Sequence, residues 1–285
     1  MTRMLSYLLS KTVIPVLFTI GPFSVYSYGL MMGIGFLVAN YVAIREFERI
    51  GMGAHFANQV TLLAAVFGIA GSKILSLIES WGDFIKDPVG MAFSPGGLTW
   101  YGGFVLAAVA ILWAAHKKHF KFAKVADALA SPLMLGYAVA RLGCHFSGDG
   151  DYGMPTKLPW GVDYSHGIVP PSIAFRTLPH IEATFPGGIV PDNTLLHPTP
   201  IYEFIAGLLI FYFLWKIRKK VRPDGKLFMI YLILAGAESL LVEFIRLNPR
   251  LLFGLSEAQL ISIPIIAIGI GGLIYLNKQP VTVKT

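Results

Sequence analysis

The sequence contains a single cysteine, Cys144, among its 285 residues. One cysteine excludes an intramolecular disulfide framework and a cysteine-based metal cluster. The sequence fixes no general base beside Cys144, and Gly143 precedes it. We therefore interpret Cys144 as a small packing residue rather than as a nucleophile.

Charge is also scarce. Charged residues make up only 14% of the chain, hydrophobic residues make up 55%, and the mean hydropathy is +0.64. Several apolar runs are long enough to cross a bilayer. This composition indicates an integral membrane protein rather than a water-soluble one.

The apolar runs predict an all-α fold, a polytopic membrane protein with about seven transmembrane helices in a single domain over residues 1–285. The predicted spans are 25–44, 57–80, 98–116, 125–148, 198–217, 227–246 and 260–276.

The net charge of +7 raises the question of a nucleic-acid partner. The positive charges, however, concentrate in the connections after the first, third and fifth spans. They are Arg45, Arg49, Lys117, Lys118, Lys121, Lys124, Arg218, Lys219, Lys220, Arg222 and Lys226. By the positive-inside rule the N-terminus is outside and the C-terminus cytoplasmic. The basic excess is therefore a signal of topology, and we expect no nucleic-acid partner.

Residues 149–197, here called the insertion, form the one long polar stretch and are rich in Pro and Gly. Loops of this length are usually lids, small subdomains or disordered segments. The apolar residues of the insertion favour a small external head between the fourth and fifth spans. Residues 1–24 lack a convincing cleavage site, so we expect them to remain as an amphipathic segment on the outer surface rather than to act as a signal peptide.

Ionisable residues follow directly after the fourth apolar run, in the stretch from Arg141 to Gly153 that includes His145, Asp149 and Asp151. An ionisable side chain at membrane depth costs at least about 2.5 kcal/mol, so it faces a polar cavity, a partner charge or an anionic ligand. The glycines of this stretch leave backbone N–H groups open to an oxyanion.

Further charges fall inside the other predicted spans: Lys73, Glu79, Glu203, Glu238, Glu243 and Arg246. Any one of them could form an ion pair between helices, and Glu243 and Arg246 have the spacing to share a helix face. By the predicted topology Arg141, His197 and Arg246 lie near the outer leaflet. This placement is typical of a site that receives a lipid phosphate from the side.

Five segments resemble, in order, the motifs of the prolipoprotein diacylglyceryl transferase family: Tyr28–Leu30, Gly97–Gly103, Arg141–Gly153, His197–Glu203 and Val242–Arg246. The similarity covers nearly the whole chain. It implies an enzyme of the bacterial inner membrane that moves diacylglyceryl from phosphatidylglycerol to the lipobox cysteine of preprolipoproteins. The products would be a thioether and glycerol 1-phosphate, with no metal or cofactor.

Such a reaction needs a base for the thiol and cations for the departing phosphate. Arg141 is the first candidate cation, because a guanidinium can hold two phosphate oxygens, and the resemblance assigns it to the lipid headgroup. Arg246 is the second, oriented by Glu243, and His197 or His145 could be the base. Tyr28 and Tyr101 could hydrogen-bond a substrate or anchor the protein at the interface. The remaining expected substrate-binding residues are Gly102, Gly103, Gly143, His145, Asp149, Gly153, Tyr202 and Glu203.

Three positions depart from the family pattern. Many members have a histidine at the position of Tyr101, an arginine is common at that of Lys73, and Ser239 stands where members normally carry an arginine. A non-catalytic phospholipid-binding membrane paralogue of the family, or a lipid transporter, therefore stays open as an alternative. A transporter usually shows related halves, and this chain has no internal repeat.

Overall fold

A computed structural model describes residues 2–21, 23–94, 99–178, 181 and 183–278. Most of them are helical, and seven longer helices coincide with the seven predicted spans. These are α2 (Ser27–Arg49), α3 (Ala54–Glu79), α6 (Trp100–Lys117), α7 (Phe122–Ser147), α9 (Thr199–Ile217), α10 (Lys226–Val242) and α11 (Glu257–Asn277). Shorter helices are α1 (Thr2–Ser10), α4 (Trp81–Phe84), α5 (Pro88–Phe93) and α8 (Pro171–Ala174).

Five of these helices, α2, α3, α7, α9 and α11, are long and apolar enough to cross a membrane, and α6 contains a shorter apolar stretch, Tyr101–Lys117. Helix α10 has only 17 residues. The described part of the chain is therefore a multi-pass helical membrane protein. The number of seven crossings, the external position of the insertion and the single domain remain predictions.

The fold is not purely α, because the described residues also form three short antiparallel strand pairs. The first pair is β1 (Val16–Ile20) with β2 (Phe23–Tyr26), the second is β3 (Val162–Asp163) with β4 (Leu195–Leu196), and the third is β5 (Arg250–Leu252) with β6 (Leu255–Ser256). Each strand has only two to five residues. Ser256 then caps α11 through a capping box with Gln259.

Two compact units make up the chain. One comprises Asn40–Leu129, and its core packs Phe47, Phe56 and Ala115 together. Helices α3 and α6 cross closely in this unit: a Cβ at Gly71 would lie 2.3 Å from the Gly102 carbonyl oxygen. Only glycine permits that approach, as at small-residue helix crossings in membranes.

The other unit comprises Met1–Ala39 and Ala130–Thr285. In it α7, α9 and α10 pack around Met134, Leu214 and Leu227. The insertion has a core of its own, built from Tyr152, Tyr164 and Phe175 with Val13 from the N-terminal segment. Helix α1 joins this core, because the Ser6 hydroxyl donates to the Gly161 carbonyl at 2.6 Å.

The sixth predicted span is too long at its C-terminal end, since α10 stops at Val242 and not at residue 246. The Ile245 carbonyl accepts a hydrogen bond from the Met154 amide at 2.8 Å, and Arg246 forms a β-bridge with Gly153. Pro249, two residues beyond Leu247, also disfavours further helix. Arg246 therefore belongs to a bend that the insertion holds, not to a helix face.

Candidate functional site

Two arginines converge on one carboxylate. Arg141, in the last two turns of α7, donates from Nη1 to Asp151 Oδ2 at 2.6 Å. Arg246 pairs with the other oxygen, Asp151 Oδ1. The bridge between Arg246 and Gly153 brings them together, because it fixes the bend after α10 beside the chain that follows Asp151.

Glu203 of α9 completes this cluster. Its Oε1 lies 3.2 Å from Arg141 Nε and 3.7 Å from Arg246 Nη1, and it accepts a hydrogen bond from the Tyr137 hydroxyl at 2.8 Å. Its side chain is fully buried, and its second oxygen, Oε2, has no hydrogen-bond partner among the described residues. A buried carboxylate oxygen without a partner is a position that a bound ligand could satisfy.

The carboxyls of Asp149 and Asp151 have opposite electrostatic surroundings. Burial alone would raise the pKa of Asp151, but the guanidinium groups of Arg246 and Arg141 lower it below its usual value. Burial and the adjacent Asp151 charge raise the pKa of Asp149 to about 6. Asp151 therefore carries the charge that balances the arginines, whereas Asp149 gains and loses a proton near neutral pH.

Cys144, Asp149 and Asp151 offer ligand atoms within 4.8 Å of one another, which is close enough to hold a metal ion. Arg141 Nη1, however, already donates to Asp151 and lies 3.8 Å from Cys144 Sγ. A guanidinium thus supplies the positive charge at this cluster. Cys144 itself is buried, and its role as a packing residue stays a prediction.

Gly153 is required by close packing, and Gly143 lies in a tight contact. A Cβ on Gly143 would lie 3.2 Å from the Met31 Cβ and 3.3 Å from the Tyr28 backbone. One on Gly153 would lie 2.5 Å from the Ile245 carbonyl oxygen. Gly143 thus sets α7 against the start of α2, where Tyr28 has Cys144, Asp149 and Arg141 as its electrostatic neighbours. Gly153 allows the β-bridge that places Arg246 at the site.

The two candidate bases differ. His145 is buried, and both of its ring nitrogens are engaged, Nε2 with the Thr12 hydroxyl at 2.7 Å and Nδ1 with the Tyr164 hydroxyl at 2.9 Å. His145 thus links the N-terminal segment to the insertion, and its expected contact with substrate stays a prediction.

His197 is half-buried, and burial lowers the pKa of its imidazole, so the ring is neutral at pH 7. Its Nδ1 lies 3.1 Å from the Tyr202 hydroxyl, which accepts from Trp160 Nε1 at 2.8 Å. Nε2 of His197 has no partner within the described ranges and can accept a proton.

Glu243 and Arg246 lie within 4.0 Å of each other, so the predicted pair is present but loose. Asn248 donates to Glu243 Oε1 at 2.7 Å, and Arg250 donates to the Glu243 backbone carbonyl at 3.1 Å. Glu243 is fully buried and organises the bend from which Arg246 projects.

Other expected residues lie in the Asn40–Leu129 unit. Gly102 and Gly103 form the crossing with α3, and Tyr101 lines a shallow apolar groove beside Ile74 and Ile78. Lys73 donates to the Ser94 hydroxyl at 2.9 Å. Gly97 and Leu98, from the second motif, lie outside the described residues.

An apolar groove of about 450 Å³ runs between α9 and α10. Glu203 and Glu238 stand at its polar end, and the rest is lined by residues such as Ile210, Leu234 and Leu241. The groove therefore connects an apolar surface to the arginine cluster through Glu203. A phospholipid requires this combination, an apolar surface for its acyl chains and positive charge for its phosphate.

Sequence patterns did not single out Tyr137. Its ring stacks under the Arg141 guanidinium, 4.8 Å from centroid to Cζ, and its hydroxyl reaches Glu203. The signal was its position four residues before Arg141, which places both side chains on one face of α7.

The model of the prolipoprotein diacylglyceryl transferase family matches residues 15–275. Several proteins named phosphatidylglycerol–prolipoprotein diacylglyceryl transferase are similar to the chain. One from Dehalococcoides mccartyi is 31% identical over 93% of this chain and 94% of its own length. Others are from Clostridium tetani, 30% identical over 90% and 95%, and from Vibrio campbellii, 30% identical over 96% and 94%.

Proposed function

The chain belongs to the prolipoprotein diacylglyceryl transferase family, and on this premise we propose that it transfers diacylglyceryl from phosphatidylglycerol to the lipobox cysteine of preprolipoproteins. It is a multi-pass membrane protein of a bacterium. We place it in the inner membrane with the N-terminus outside, since the basic connections favour that orientation.

The main support for the proposal is that Arg141 and Arg246 form salt bridges with the two oxygens of Asp151. A phosphate in place of that carboxylate would meet the same two guanidinium groups. Two such charge-assisted contacts stabilise the negative charge that develops on the leaving phosphate. Asp151 therefore has to move aside when the headgroup binds.

In the reaction the thiol sulfur forms a bond to the glycerol carbon, and the bond from that carbon to the phosphate oxygen breaks. Glycerol 1-phosphate leaves with the electron pair, and the thiol proton passes to a base. His197 is the base we propose, because its ring is neutral and Nε2 has no partner among the residues that the structure describes. Tyr28 and Asp149 are proposed to contact the substrates, and Tyr202 holds His197 in place. Tyr101, Gly102 and Gly103, which lie in the Asn40–Leu129 unit, also stay proposed as site residues.

The groove between α9 and α10 supports the lipid part of the proposal. Its apolar wall suits an acyl chain, while Glu203 at its end contacts both arginines. A lipid lying in the groove would thus present its headgroup at the cluster from within the membrane.

The proposal is tested by an assay for transfer of diacylglyceryl to a peptide. Purified protein, phosphatidylglycerol and a lipobox peptide should give a peptide whose mass increases by one diacylglyceryl group, and a peptide with serine in place of the cysteine should not. Glu257→Gln, at an exposed position of α11, is the control variant and should match the wild type. Bound phosphatidylglycerol without any modified peptide would instead support the non-catalytic paralogue, which the serine at position 239 favours.

A further inference from the structure

The Tyr137 hydroxyl lies between two buried carboxyl groups. It is 2.8 Å from Glu203 Oε1, 3.1 Å from Glu238 Oε2 and 3.4 Å from Glu238 Oε1. The three side chains come from α7, α9 and α10. They meet at the polar end of the groove, and Glu238 belongs to none of the family motifs quoted above.

Counting hydrogens at this junction limits its protonation state. A tyrosine hydroxyl carries one hydrogen, and ionised carboxylates can only accept. Tyr137 can therefore donate to one of its two neighbours, and the second short contact is a hydrogen bond only if the other carboxyl donates to the tyrosine oxygen. One of the two glutamates must carry a proton.

The surroundings decide which glutamate it is. Glu203 faces two guanidinium groups, at 3.2 Å and 3.7 Å, which favour its ionised form. Glu238 is 9% exposed, and the structure pairs it with no lysine or arginine among the described residues. An ionised carboxylate buried without a partner is strongly unfavourable, so the group takes up a proton instead.

We propose that Glu238 is a positioning residue, a neutral carboxylic acid that donates to Tyr137 while Tyr137 donates to Glu203. This chain of two hydrogen bonds holds Glu203 against both arginines. The inference rests on the proposed function for its consequence: Asp151, Glu203 and Glu243 already pair with the two arginines, and a neutral Glu238 adds no further negative charge to repel an entering phosphate.

Ser239, the residue after Glu238, makes the proton on Glu238 important. Ser239 adds no positive charge beside Glu238, so an ionised Glu238 would have to share Arg141 and Arg246 with the carboxylates that already pair with them. The charged and titratable groups facing Glu238 are Tyr137 and Arg141 of α7, Glu203 of α9, Arg246 beyond α10 and Tyr231 of α10 itself.

Infrared spectroscopy of the full-length protein, in a detergent without carbonyl groups, tests the protonation directly. At pH 7 the wild type should show the C=O stretch of a protonated carboxyl group. Glu238→Gln should lose that band, Tyr137→Phe should shift it to higher frequency because a hydrogen bond is lost, and Glu257→Gln should leave it unchanged. A wild-type spectrum from which Glu238→Gln removes nothing overturns the assignment.

Transfer kinetics test the positioning role. Glutamine is neutral and keeps a donor toward Tyr137, so Glu238→Gln should stay within about threefold of the wild-type kcat/KM. Glu238→Met, of similar length but without a donor, and Tyr137→Phe should each lose at least about tenfold. Activity equally reduced in the Gln and Met variants contradicts the proposal. A wild type that shows the infrared band but no transfer contradicts the proposed function alone and supports the protonation.

Discussion

At the scale of single residues, Arg141 is held at the proposed phosphate site by three side chains. It pairs with Asp151 and Glu203 and stacks on Tyr137. Lysine keeps the charge but loses the planar fork and the stacking. Arg141→Lys should therefore lower kcat/KM about tenfold to a hundredfold, and Arg141→Ala should abolish transfer of diacylglyceryl to the peptide. Membrane insertion of both variants, checked by fractionation, should be normal. Wild-type turnover in Arg141→Ala would remove Arg141 from the mechanism.

Arg246 should be as important for transfer as Arg141, although helical spacing does not explain its position. It reaches the site because the bend after Val242 pairs with Gly153, and it shares Asp151 with Arg141. We expect Arg246→Ala to be as damaging as Arg141→Ala in the same assay.

The role of Ser239 can be tested in the Arg246→Ala variant. Adding Ser239→Arg to Arg246→Ala should recover part of the lost activity, since it restores a cation in the same region. If the native protein is inactive and Ser239→Arg alone confers activity, the chain is a paralogue that has lost catalysis. Equal activity of the native, Arg246→Ala and Ser239→Arg forms would mean that neither position takes part.

Asp149 should make stability depend on pH. Its pKa is about 6 in the folded protein, above the ordinary value of 3.8, so the folded state binds more protons than the unfolded state between about pH 4 and 6. Stability must therefore fall as the pH rises through this window. Asp149→Asn should remove that slope, and its melting temperature should exceed that of the wild type by a few degrees at pH 7.5 but hardly at pH 4. Parallel curves for the two proteins would contradict the assignment.

At the scale of elements, the α3–α6 crossing depends on glycines that differ in their surroundings. A Cβ at Gly71 would meet the Gly102 carbonyl oxygen at 2.3 Å, whereas a Cβ at Gly68, one turn earlier on the same helix, would meet nothing within 4 Å. Gly71→Ala should cost about 1–3 kcal/mol, seen as a lower melting temperature. Gly68→Ala is the matched control and should be neutral or gain up to about 1 kcal/mol of helix propensity. A smaller loss at Gly71 than at Gly68 would show that the helices do not cross there.

The helices themselves could be predicted, because apolar runs of span length dominate the chain and each became a helix with ends shifted by a few residues. The strand pairs could not, since strands of two to five residues are too short to show a clear period in hydropathy. The insertion was expected to be a small external head, and its external position stays a prediction. The structure shows that Tyr152, Tyr164 and Phe175 form a core within it.

The site was only partly predictable for a related reason. Glu243 and Arg246 have helical spacing, yet their closest side-chain atoms are 4.0 Å apart, while the tighter partner of Arg246 is Asp151 from a distant segment. The spacing of residues in the sequence identifies neighbours on one helix. It cannot find a partner that a β-bridge between distant segments brings into contact.

At the scale of the whole molecule, the orientation in the membrane follows from where the positive charges lie. The helix ends at Arg49, Lys117 and Ile217 and the starts at Phe122 and Lys226 border the basic connections, whereas the insertion joins the other ends of α7 and α9. Lysine and arginine are retained on the cytoplasmic side, so these connections should lie inside and the insertion outside. Reporter fusions at residues 120 and 222 should read cytoplasmic, and one near residue 180 should read external. A fusion at 120 that reads external would put the arginine cluster at the cytoplasmic face and leave the proposed acceptor peptide on the wrong side of the membrane.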